Sequence, residues 1–288
     1  MKIANLFENG RTVFSFEIFP PKKDGSIDTV YKTLEALSDL RPDFISVTYG
    51  AGGSAAGGST AELARYIKTH CHTESVAHLT CINSDRQDID RAIGLFEEYG
   101  IENVLALRGD INPDIPPKQD FKHASDLIAY MKPRCQLDFA GACYPECHAE
   151  SANIVEDIQN LKRKVDAGAS HLISQLFFDN ASFYAFLERA RIAGINVPIE
   201  AGIMPCVNAK QINRMVTMCG ASLPPKFVKL IQRYGDNEEA MRDAGIAYAV
   251  DQIIDLVANG VDGIHLYTMN NPYIARKISE SVEKVIRA

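Results

Sequence analysis

The sequence has no excess of positive charge, which argues against nucleic acid as its main partner. It contains 30 Lys and Arg against 37 Asp and Glu, so the formal net charge is −7. Binding a nucleic acid backbone requires clustered Lys and Arg. Long apolar runs are also missing, and none of those present is long enough to span a bilayer. We therefore expect small-molecule partners, with neither a nucleic acid nor a membrane among them.

The cysteines do not have the even number expected of a disulfide framework. There are seven, and they are scattered along the chain. Cys143, Cys147 and His148 lie close in sequence, but no second Cys pair at zinc spacing accompanies them, so we expect no metal. The start, Met1 to Arg11, has no apolar core of a signal peptide. Reduced thiols and a cytoplasmic location are the expectation.

Short apolar strands alternate with helical patterns throughout, which is typical of βα units around a parallel sheet. An open, doubly wound sheet would have a glycine fingerprint after the first strand, whereas this chain has Pro20-Pro21-Lys22-Lys23 there. Eight units favour a closed (β/α)8 TIM barrel. The predicted strands are Thr12–Phe19, Phe44–Tyr49, Glu74–Cys81, Asn103–Leu107, Asp138–Tyr144, His171–Phe178, Val197–Met204 and Gly263–Met269.

Helical patterns follow the strands, and no linker interrupts them. We therefore predict a single (β/α)8 barrel catalytic domain over residues 1–288. Extra helices are expected between strands seven and eight. They are Ala209–Met218, a short helix after Pro224-Pro225 and a longer one over Glu238–Ala258.

The first strand carries a carboxylate among β-forming apolar residues. Glu17 stands between Phe16 and Ile18, and Pro20 and Pro21 end the strand. A glutamate in such surroundings must be paired, or must keep its proton because desolvation raises the pKa of a carboxyl group. A protonated carboxyl suits general-acid chemistry. A solvent-facing residue or a structural ion pair is the alternative.

Polar residues recur where the predicted strands end, and in a barrel this is where catalytic groups gather. They are Glu17, Thr48, His78, Arg108, Asp110, Tyr144, Gln175, Tyr267 and Asn270. A divalent-metal site could be drawn from Glu17, His78 and Asp110, although the spacing does not enforce it. On the fifth helix, Arg163 and Lys164 could hold a pyrophosphate or belong to a solvated face. The pattern alone indicates a barrel enzyme without fixing its reaction.

Several of these segments together resemble the methylenetetrahydrofolate reductase family, in its short bacterial form. The matching segments follow one another in order along essentially the whole chain. They are Phe16-Glu17-Ile18-Phe19-Pro20-Pro21, Ser46-Val47-Thr48-Tyr49-Gly50, Ala77-His78-Leu79-Thr80-Cys81, Ala106-Leu107-Arg108-Gly109-Asp110, Tyr144-Pro145-Glu146, Leu161-Lys162-Arg163-Lys164-Val165-Asp166-Ala167-Gly168-Ala169 and Phe177-Phe178-Asp179.

The resemblance implies bound FAD, NADH as reductant, and reduction of 5,10-methylenetetrahydrofolate to 5-methyltetrahydrofolate by ping-pong kinetics, in one-carbon metabolism and methionine synthesis. It implies that Glu17 is the general acid and that Asp110 stabilises charge between flavin and folate. FAD would be lined by Thr48, Tyr49, Ala51, His78, Arg108, Gly109, Asp110, Ala124, Tyr144, His148, Asp157, Asn160, Arg163 and Lys164. Folate or NADH would contact Glu17, Thr48, Asp110, Gln175, Gln211 and Met215.

Some positions depart from the family pattern, including His123, which stands where an aromatic residue would flank the adenine. Met215 stands where an aromatic residue would stack on the bound ligand, and Asn271 stands where an arginine would face the folate tail. The family also implies a homotetramer. Two alternative functions stay open: a metal-dependent or cofactor-free lyase barrel that uses Glu17 as general acid, and a non-catalytic module that binds a pterin or a flavin without turnover.

Overall fold

Eight parallel strands close into a barrel in the order of the sequence, and β8 pairs with β1. The computed structural model describes residues 1–21, 25–49, 58–111 and 116–288, except the side chains of residues 211, 213, 214, 217 and 218. The strands are β1 (Val13–Ile18), β2 (Phe44–Val47), β3 (Glu74–Thr80), β4 (Asn103–Leu107), β5 (Asp138–Cys143), β6 (His171–Ser174), β7 (Ile199–Ile203) and β8 (Gly263–Tyr267). The predicted (β/α)8 barrel is confirmed.

Helices surround the barrel, and three of them lie between β7 and β8, as predicted. The helices are α1 (Ile27–Ser38), α2 (Gly58–Thr69), α3 (Arg86–Glu98), α4 (Ala124–Met131), α5 (Ile154–Ala167), α6 (Asn180–Ile192), α7 (Ala209–Cys219), α8 (Pro225–Tyr234), α9 (Glu238–Ala258) and α10 (Pro272–Ile286). Within the described residues, none of them combines the length and apolar character needed to cross a bilayer.

The strands alternate between the barrel interior and the helix layer, because successive side chains of a strand point to opposite faces. In β1, Phe14, Phe16 and Ile18 pack in the main hydrophobic core, which includes the inner faces of the helices. The intervening residues Ser15 and Glu17 therefore face the inside of the barrel. This alternation brings Glu17 to the mouth formed by the carboxyl ends of the strands.

The bottom of the barrel is covered by a short 3₁₀ helix, Ile3–Asn9, which the sequence patterns did not predict. Ile3 is fully buried, and Leu6 packs with it in the cluster that fills the lower barrel. The backbone N–H of Ile3 donates to Asn103 Oδ1 at 2.8 Å, and that of Ala4 donates to Asp138 Oδ2 at 3.1 Å. Seven residues are too few to show a helical period, so tertiary contacts define this helix.

Some predicted strands extend too far at their carboxyl ends. The second and sixth strands were predicted to run to Tyr49 and Phe178, but β2 ends at Val47 and β6 at Ser174. The N–H of Gln175 still donates to Cys143 O of β5 at 2.7 Å, whereas the Gln175 carbonyl accepts from the Ser174 hydroxyl, so the pairing ends here. Apolar β-forming residues thus continue into the loops that surround the mouth.

Candidate active site

Glu17 lies at the barrel mouth between two imidazoles. Its side chain is almost fully buried, with 7% of the residue exposed. Its Oε2 is 3.6 Å from His78 Nε2 on β3 and 3.7 Å from His265 Nε2 on β8. The alternative of a solvent-facing Glu17 is therefore wrong.

His78 does not supply a positive charge to Glu17 near neutral pH. Burial lowers the pKa of His78 to about 4, and this outweighs the opposing attraction of Glu17. Its Nε2 is buried and has no hydrogen-bond partner in the part of the chain that the structure describes. A buried nitrogen of this kind costs free energy unless a partner arrives, and such costs are common at functional sites. His78 therefore behaves as a neutral neighbour rather than as the cation of a structural ion pair.

Two residues that follow β8 fix the end of β1. The Thr268 hydroxyl donates to the backbone oxygen of Glu17 at 2.7 Å. The Asn270 side chain accepts from the N–H of Phe19 and donates to the carbonyl of Phe19, each at 2.8 Å. Asn270 itself has a φ of 54°, a left-handed conformation that asparagine tolerates better than most residues. These contacts hold the chain at the backbone oxygen of Glu17 and two residues further on.

A second group of polar residues lies beyond Tyr267 on the same mouth. Tyr267 is largely buried, and its hydroxyl donates to Ser174 O at 2.7 Å. Burial, followed by the charge of Glu17 and weaker contributions that include Tyr144, raises the pKa of Tyr267 well above its usual value. Burial and then Asp110 raise the pKa of Tyr144 to about 12. Glu17 and Asp110 thus act on adjoining tyrosines of one mouth.

Arg108 is held by an acidic residue that the sequence did not single out. Its Nη2 donates to Glu150 Oε1 at 2.7 Å, its Nη1 bonds the other carboxylate oxygen, and this bidentate contact raises the pKa of Arg108. Next to it, Gly109 has a φ of 88°, and a Cβ there would lie 3.0 Å from Thr80 Cβ. Only glycine fits this turn, which carries the backbone from Arg108 to the exposed Asp110.

The three cations on α5 have different environments. Lys162 forms an ion pair with Asp166 and belongs to a solvated face. Arg163 is exposed and donates to the neutral Asn160 Oδ1 at 2.9 Å, whereas Lys164 is partly buried and donates to Ala142 O. Within the described residues, neither Arg163 nor Lys164 has a carboxylate partner in an ion pair. Their positive charges are therefore available to an anionic group.

The remaining predicted residues are distributed around this mouth. The Thr48 N–H donates to Ile18 O at 3.0 Å, and the rings of Tyr144 and His148 lie 4.5 Å apart. Met215, with Thr268, Met269 and Asn271, lines a cavity of about 190 Å³. Tyr49 follows β2, Ala124 begins α4, Asp157 and Asn160 are on α5, and Gln175 follows β6. Ala51 and the Gln211 side chain lie outside the described residues.

Metal ligation was left open by the sequence. Across the described ranges, no three or more His, Cys, Asp and Glu side chains are grouped so that they could hold a metal ion. The set of Glu17, His78 and Asp110 is therefore not a metal-binding cluster in this structure.

A buried polar cluster that was not predicted from the sequence lies directly beneath Glu17. Ser15 Oγ lies 2.7 Å from both His265 Nδ1 and Glu200 Oε2, and all three residues are fully buried. Gly263 provides the space, because a Cβ there would lie 2.7 Å from Glu200 Cγ. The signal that identified Glu17, a polar residue within an apolar strand, is also present at Glu200 and His265.

We expect Glu200→Gln to stabilise the protein at pH 8 but not at pH 4. Burial raises the pKa of Glu200 to about 7, against the partly opposing effects of His265 and Ser15. The native state therefore holds a proton that the unfolded chain loses near pH 4.5, so wild-type stability decreases as pH rises from about 4.5 to about 7 and is level above. The neutral glutamine of Glu200→Gln avoids this loss of stability, which is on the order of 3 kcal/mol.

Urea unfolding of wild type and Glu200→Gln at several pH values checks this expectation. Taking the difference between the two proteins removes contributions that they share, such as that of His78, whose pKa burial lowers to about 4. Glu283→Gln, at an exposed carboxylate of α10, is the matched control and should show no such difference. A Glu200→Gln difference that does not change with pH would contradict the assignment.

Comparison with known proteins gives the family. The model of methylenetetrahydrofolate reductase matches residues 2–283. The 5,10-methylenetetrahydrofolate reductases of Pectobacterium carotovorum and Escherichia coli are 35% and 34% identical, each over 95% of this chain and 91% of the relative. Methylenetetrahydrofolate reductase (NADH) 1 of Arabidopsis thaliana is 37% identical over 93% of this chain, which spans about half of that relative (48%).

Solved structures support the fold. An uncharacterized protein from Clostridium thermocellum, which binds two copies of 5-methyl-5,6,7,8-tetrahydrofolic acid, superposes with a TM-score of 0.67 over 99% of both chains, at 14% identity. A tryptophan synthase structure from M. tuberculosis superposes with a TM-score of 0.57 at 11% identity. At these identities the likeness shows the fold alone.

The closed barrel, with the buried carboxylate of Glu17 at its mouth, defines a (β/α)8-barrel protein built like an enzyme. The match over nearly the whole chain then specifies the group: the chain belongs to the methylenetetrahydrofolate reductase family.

Proposed function

We propose that this protein is an FAD-dependent reductase that converts 5,10-methylenetetrahydrofolate to 5-methyltetrahydrofolate with NADH. The observation that carries the proposal is the position of Glu17, a buried carboxyl at the mouth of a barrel of this family, beside the neutral His78. Such a carboxyl can hold a proton for a substrate nitrogen without competition from a fixed positive charge. The family names and the NADH form among the relatives supply the substrate and the reductant.

The residues of the mouth fit a bound FAD. A flavin dinucleotide carries an anionic pyrophosphate, and Arg163 and Lys164 offer two cations that have no carboxylate partner among the described residues. Charge-assisted hydrogen bonds to phosphate oxygens are among the strong contacts available to such side chains. Tyr144 and His148, in edge-to-face contact at 4.5 Å, add aromatic surface close to Arg108 and Asp110. We propose that these residues, with the others named from the resemblance, hold FAD.

The proposed chemistry divides between the cofactor and the protein. When bound, FAD would supply hydride transfer from NADH to the folate. Glu17 donates its proton to folate nitrogen 10, which opens the five-membered ring and makes the exocyclic carbon electrophilic. Asp110 stabilises the positive charge that develops on the folate. Gln175, Gln211, Met215 and Thr48 contact the ligand beside the flavin.

Further parts of the proposal rest on the family resemblance. They are ping-pong kinetics at one mouth that serves both NADH and folate, a role in one-carbon metabolism and methionine synthesis, a single catalytic domain over residues 1–288, a cytoplasmic location and a homotetramer. Size-exclusion chromatography with light scattering tests the last of these directly.

Flavin content is the first test of this function. We expect the purified protein to be yellow, with one FAD per chain, and NADH to bleach the flavin absorption band under anaerobic conditions. A colourless protein that does not bind added FAD would contradict the proposal and would favour the lyase alternative.

We expect Arg163→Met to weaken FAD binding about 10-fold to 100-fold. The change removes a charge-assisted contact to phosphate, worth about 1.5–3 kcal/mol. Fluorescence titration of the apoprotein with FAD measures the loss independently of turnover. Lys162→Met is the matched control, because the neighbouring Lys162 is already paired with Asp166. Equal losses in both variants would show a general charge effect instead of a pyrophosphate contact.

A further inference from the structure

A line of buried polar side chains descends from Glu17 along three neighbouring strands. His265 on β8 presents Nε2 to Glu17 Oε2 at 3.7 Å and Nδ1 to Ser15 Oγ at 2.7 Å. Ser15 on β1 is in turn 2.7 Å from Oε2 of Glu200 on β7. Ser15, His265 and Glu200 each have 0% exposure. The line thus joins the carboxyl at the mouth to a second carboxyl that solvent does not reach.

The hydroxyl of Ser15 can complete this line in two ways, because it donates one hydrogen and accepts another. If Glu200 is ionised, Ser15 donates to it, His265 Nδ1–H donates to Ser15, and the bare His265 Nε2 suits a protonated Glu17. If Glu200 carries the proton, Ser15 donates to His265 Nδ1 and His265 Nε2–H faces an ionised Glu17. The two arrangements contain the same number of protons.

Other groups face each end of the line. Around Glu200 these are His171 on β6, whose Nε2 is 3.9 Å from Glu200 Oε1, and the more distant Asp43 and Asp262. Among the described residues, neither His171 Nε2 nor Glu200 Oε1 has a hydrogen-bond partner.

At the other end, Glu17 is faced by His78 on β3 and Tyr267 on β8. His265 also has Ser46 Oγ 3.4 Å from Nε2, and its ring lies against Tyr267 at 5.4 Å and Phe44 at 6.1 Å. Burial lowers the pKa values of both His78 and His171 to about 4, so near neutral pH these two imidazoles are uncharged.

We propose that Glu200 holds a second proton for Glu17 and passes it through Ser15 and His265, so that Glu200 and Ser15 are positioning residues for the acid step. This rests on the proposed function, in which Glu17 is the acid. After Glu17 has protonated the folate, the Nε2 proton of His265 moves to Glu17 Oε2. The Ser15 hydroxyl proton moves to His265 Nδ1, and the Glu200 proton moves to Ser15 Oγ.

These three transfers leave Ser15 and His265 with their original proton counts, and one proton has moved from Glu200 to Glu17. Between turnovers Glu200 regains its proton by the same three transfers in the opposite direction, because solvent reaches Glu17 at the mouth of the barrel. The 3.7 Å separation at Glu17 is longer than a hydrogen bond, as is common before a ligand closes an active site. Burial raises the pKa of Glu200 to about 7, which allows it to give and take a proton near neutral pH.

The first experiment compares the pH dependence of the two half-reactions in the holoenzyme. The rate of flavin reoxidation by methylenetetrahydrofolate should fall at alkaline pH. For Glu200→Gln and Ser15→Ala, we expect this fall to occur at a pH lower by about one unit, which is the size of shift at which two groups count as strongly coupled. Reduction by NADH should keep its wild-type pH profile. Ser15→Thr, which retains a hydroxyl, should restore the wild-type pH profile of reoxidation. Ser75→Ala is the matched control, because Ser75 is a fully buried serine on β3 whose hydroxyl has no partner.

Ser15→Ala distinguishes proton transfer through the Ser15 hydroxyl from a purely electrostatic effect of Glu200 on Glu17, because Glu200 keeps its charge in that variant. A shift in Glu200→Gln alone would overturn the proposal, because the charge of Glu200 would then act without the hydroxyl. A rate loss that is equal at all pH values, or equal in both half-reactions, would also overturn it, because it would indicate a structural role.

An infrared titration tests the relay without any turnover and remains available if Ser15→Ala does not fold. A protonated carboxyl group gives its own infrared band. The band that is present in wild type and in Glu17→Gln but absent from Glu200→Gln is therefore that of Glu200. We expect its midpoint to move to lower pH in Glu17→Gln, because coupled carboxyls share their protons. An unchanged midpoint would overturn the relay. If wild-type flavin is not reoxidised by folate but this midpoint moves, the proposed function fails and the relay stands.

Discussion

Glu17→Gln should leave reduction of the flavin by NADH intact and slow reoxidation by methylenetetrahydrofolate by about 100-fold to 10,000-fold, the usual contribution of a positioned general acid. The amide preserves the size of the side chain and its place between His78 and His265, but it has no acidic proton to donate. Hydride transfer from NADH requires no such proton on the folate. Anaerobic stopped-flow absorbance of the flavin band measures both rates in one preparation.

The contrast between the half-reactions is what identifies the acid. Glu188→Gln, at an exposed carboxylate of α6, is the control and should leave both rates at their wild-type values. If Glu17→Gln slowed both half-reactions to the same extent, Glu17 would be supporting the flavin site rather than protonating the folate.

Gly202→Ala should destabilise the barrel by about 3 kcal/mol or more, as expected when a side chain is forced into a packed interior. A Cβ at Gly202 would lie 2.2 Å from the backbone oxygen of Ser174 and 2.8 Å from the Tyr267 hydroxyl. That oxygen accepts the hydrogen bond of Tyr267, and the Ser174 hydroxyl accepts from the N–H of Gly202. β6, β7 and β8 would have to move apart near the mouth.

Urea unfolding measures this loss, and Gly94→Ala is the matched control. Gly94 is exposed within α3, and a Cβ there would have nothing within 4 Å, so its replacement should stabilise the protein by about 0.5–1 kcal/mol. If Gly202→Ala unfolded at the wild-type urea concentration, the close packing of β6, β7 and β8 would be wrong.

The barrel could be predicted because its pattern is local. Each strand is an apolar run, each helix has its own period, and the missing glycine fingerprint after β1 excluded the open sheet. The strand ends were less accurate, because Tyr49 and Phe178 are good β-formers that lie in loops. The helix Ile3–Asn9 could not be predicted, since contacts with Asn103 and Asp138, far along the chain, determine it.

Part of the candidate site could also be predicted, because some of its residues stand out in the local sequence pattern. Glu17 and His78 are polar residues within apolar strands, so the sequence marks both. Their meeting at 3.6 Å depends on the register of the closed barrel, which no local pattern contains.

The cluster of Ser15, Glu200 and His265 was missed because attention to the strand ends passes over residues in the middle of strands. Ser15 and His265 are 250 positions apart in sequence, and their contact follows from the β1–β8 pairing.

The different environments of Lys162 and Lys164 also could not be predicted from the sequence. Only their side-chain contacts show that one is paired on the surface and the other is partly buried against β5.

A single-turnover product measurement shows whether the hydride taken from NADH reaches the folate. Enzyme reduced by one equivalent of NADH is mixed anaerobically with excess 5,10-methylenetetrahydrofolate, and the 5-methyltetrahydrofolate formed is quantified against the flavin reoxidised. We expect one molecule of 5-methyltetrahydrofolate for each flavin oxidised. Flavin that stays reduced in the presence of the folate, or that is reoxidised without a methyl product, would contradict it.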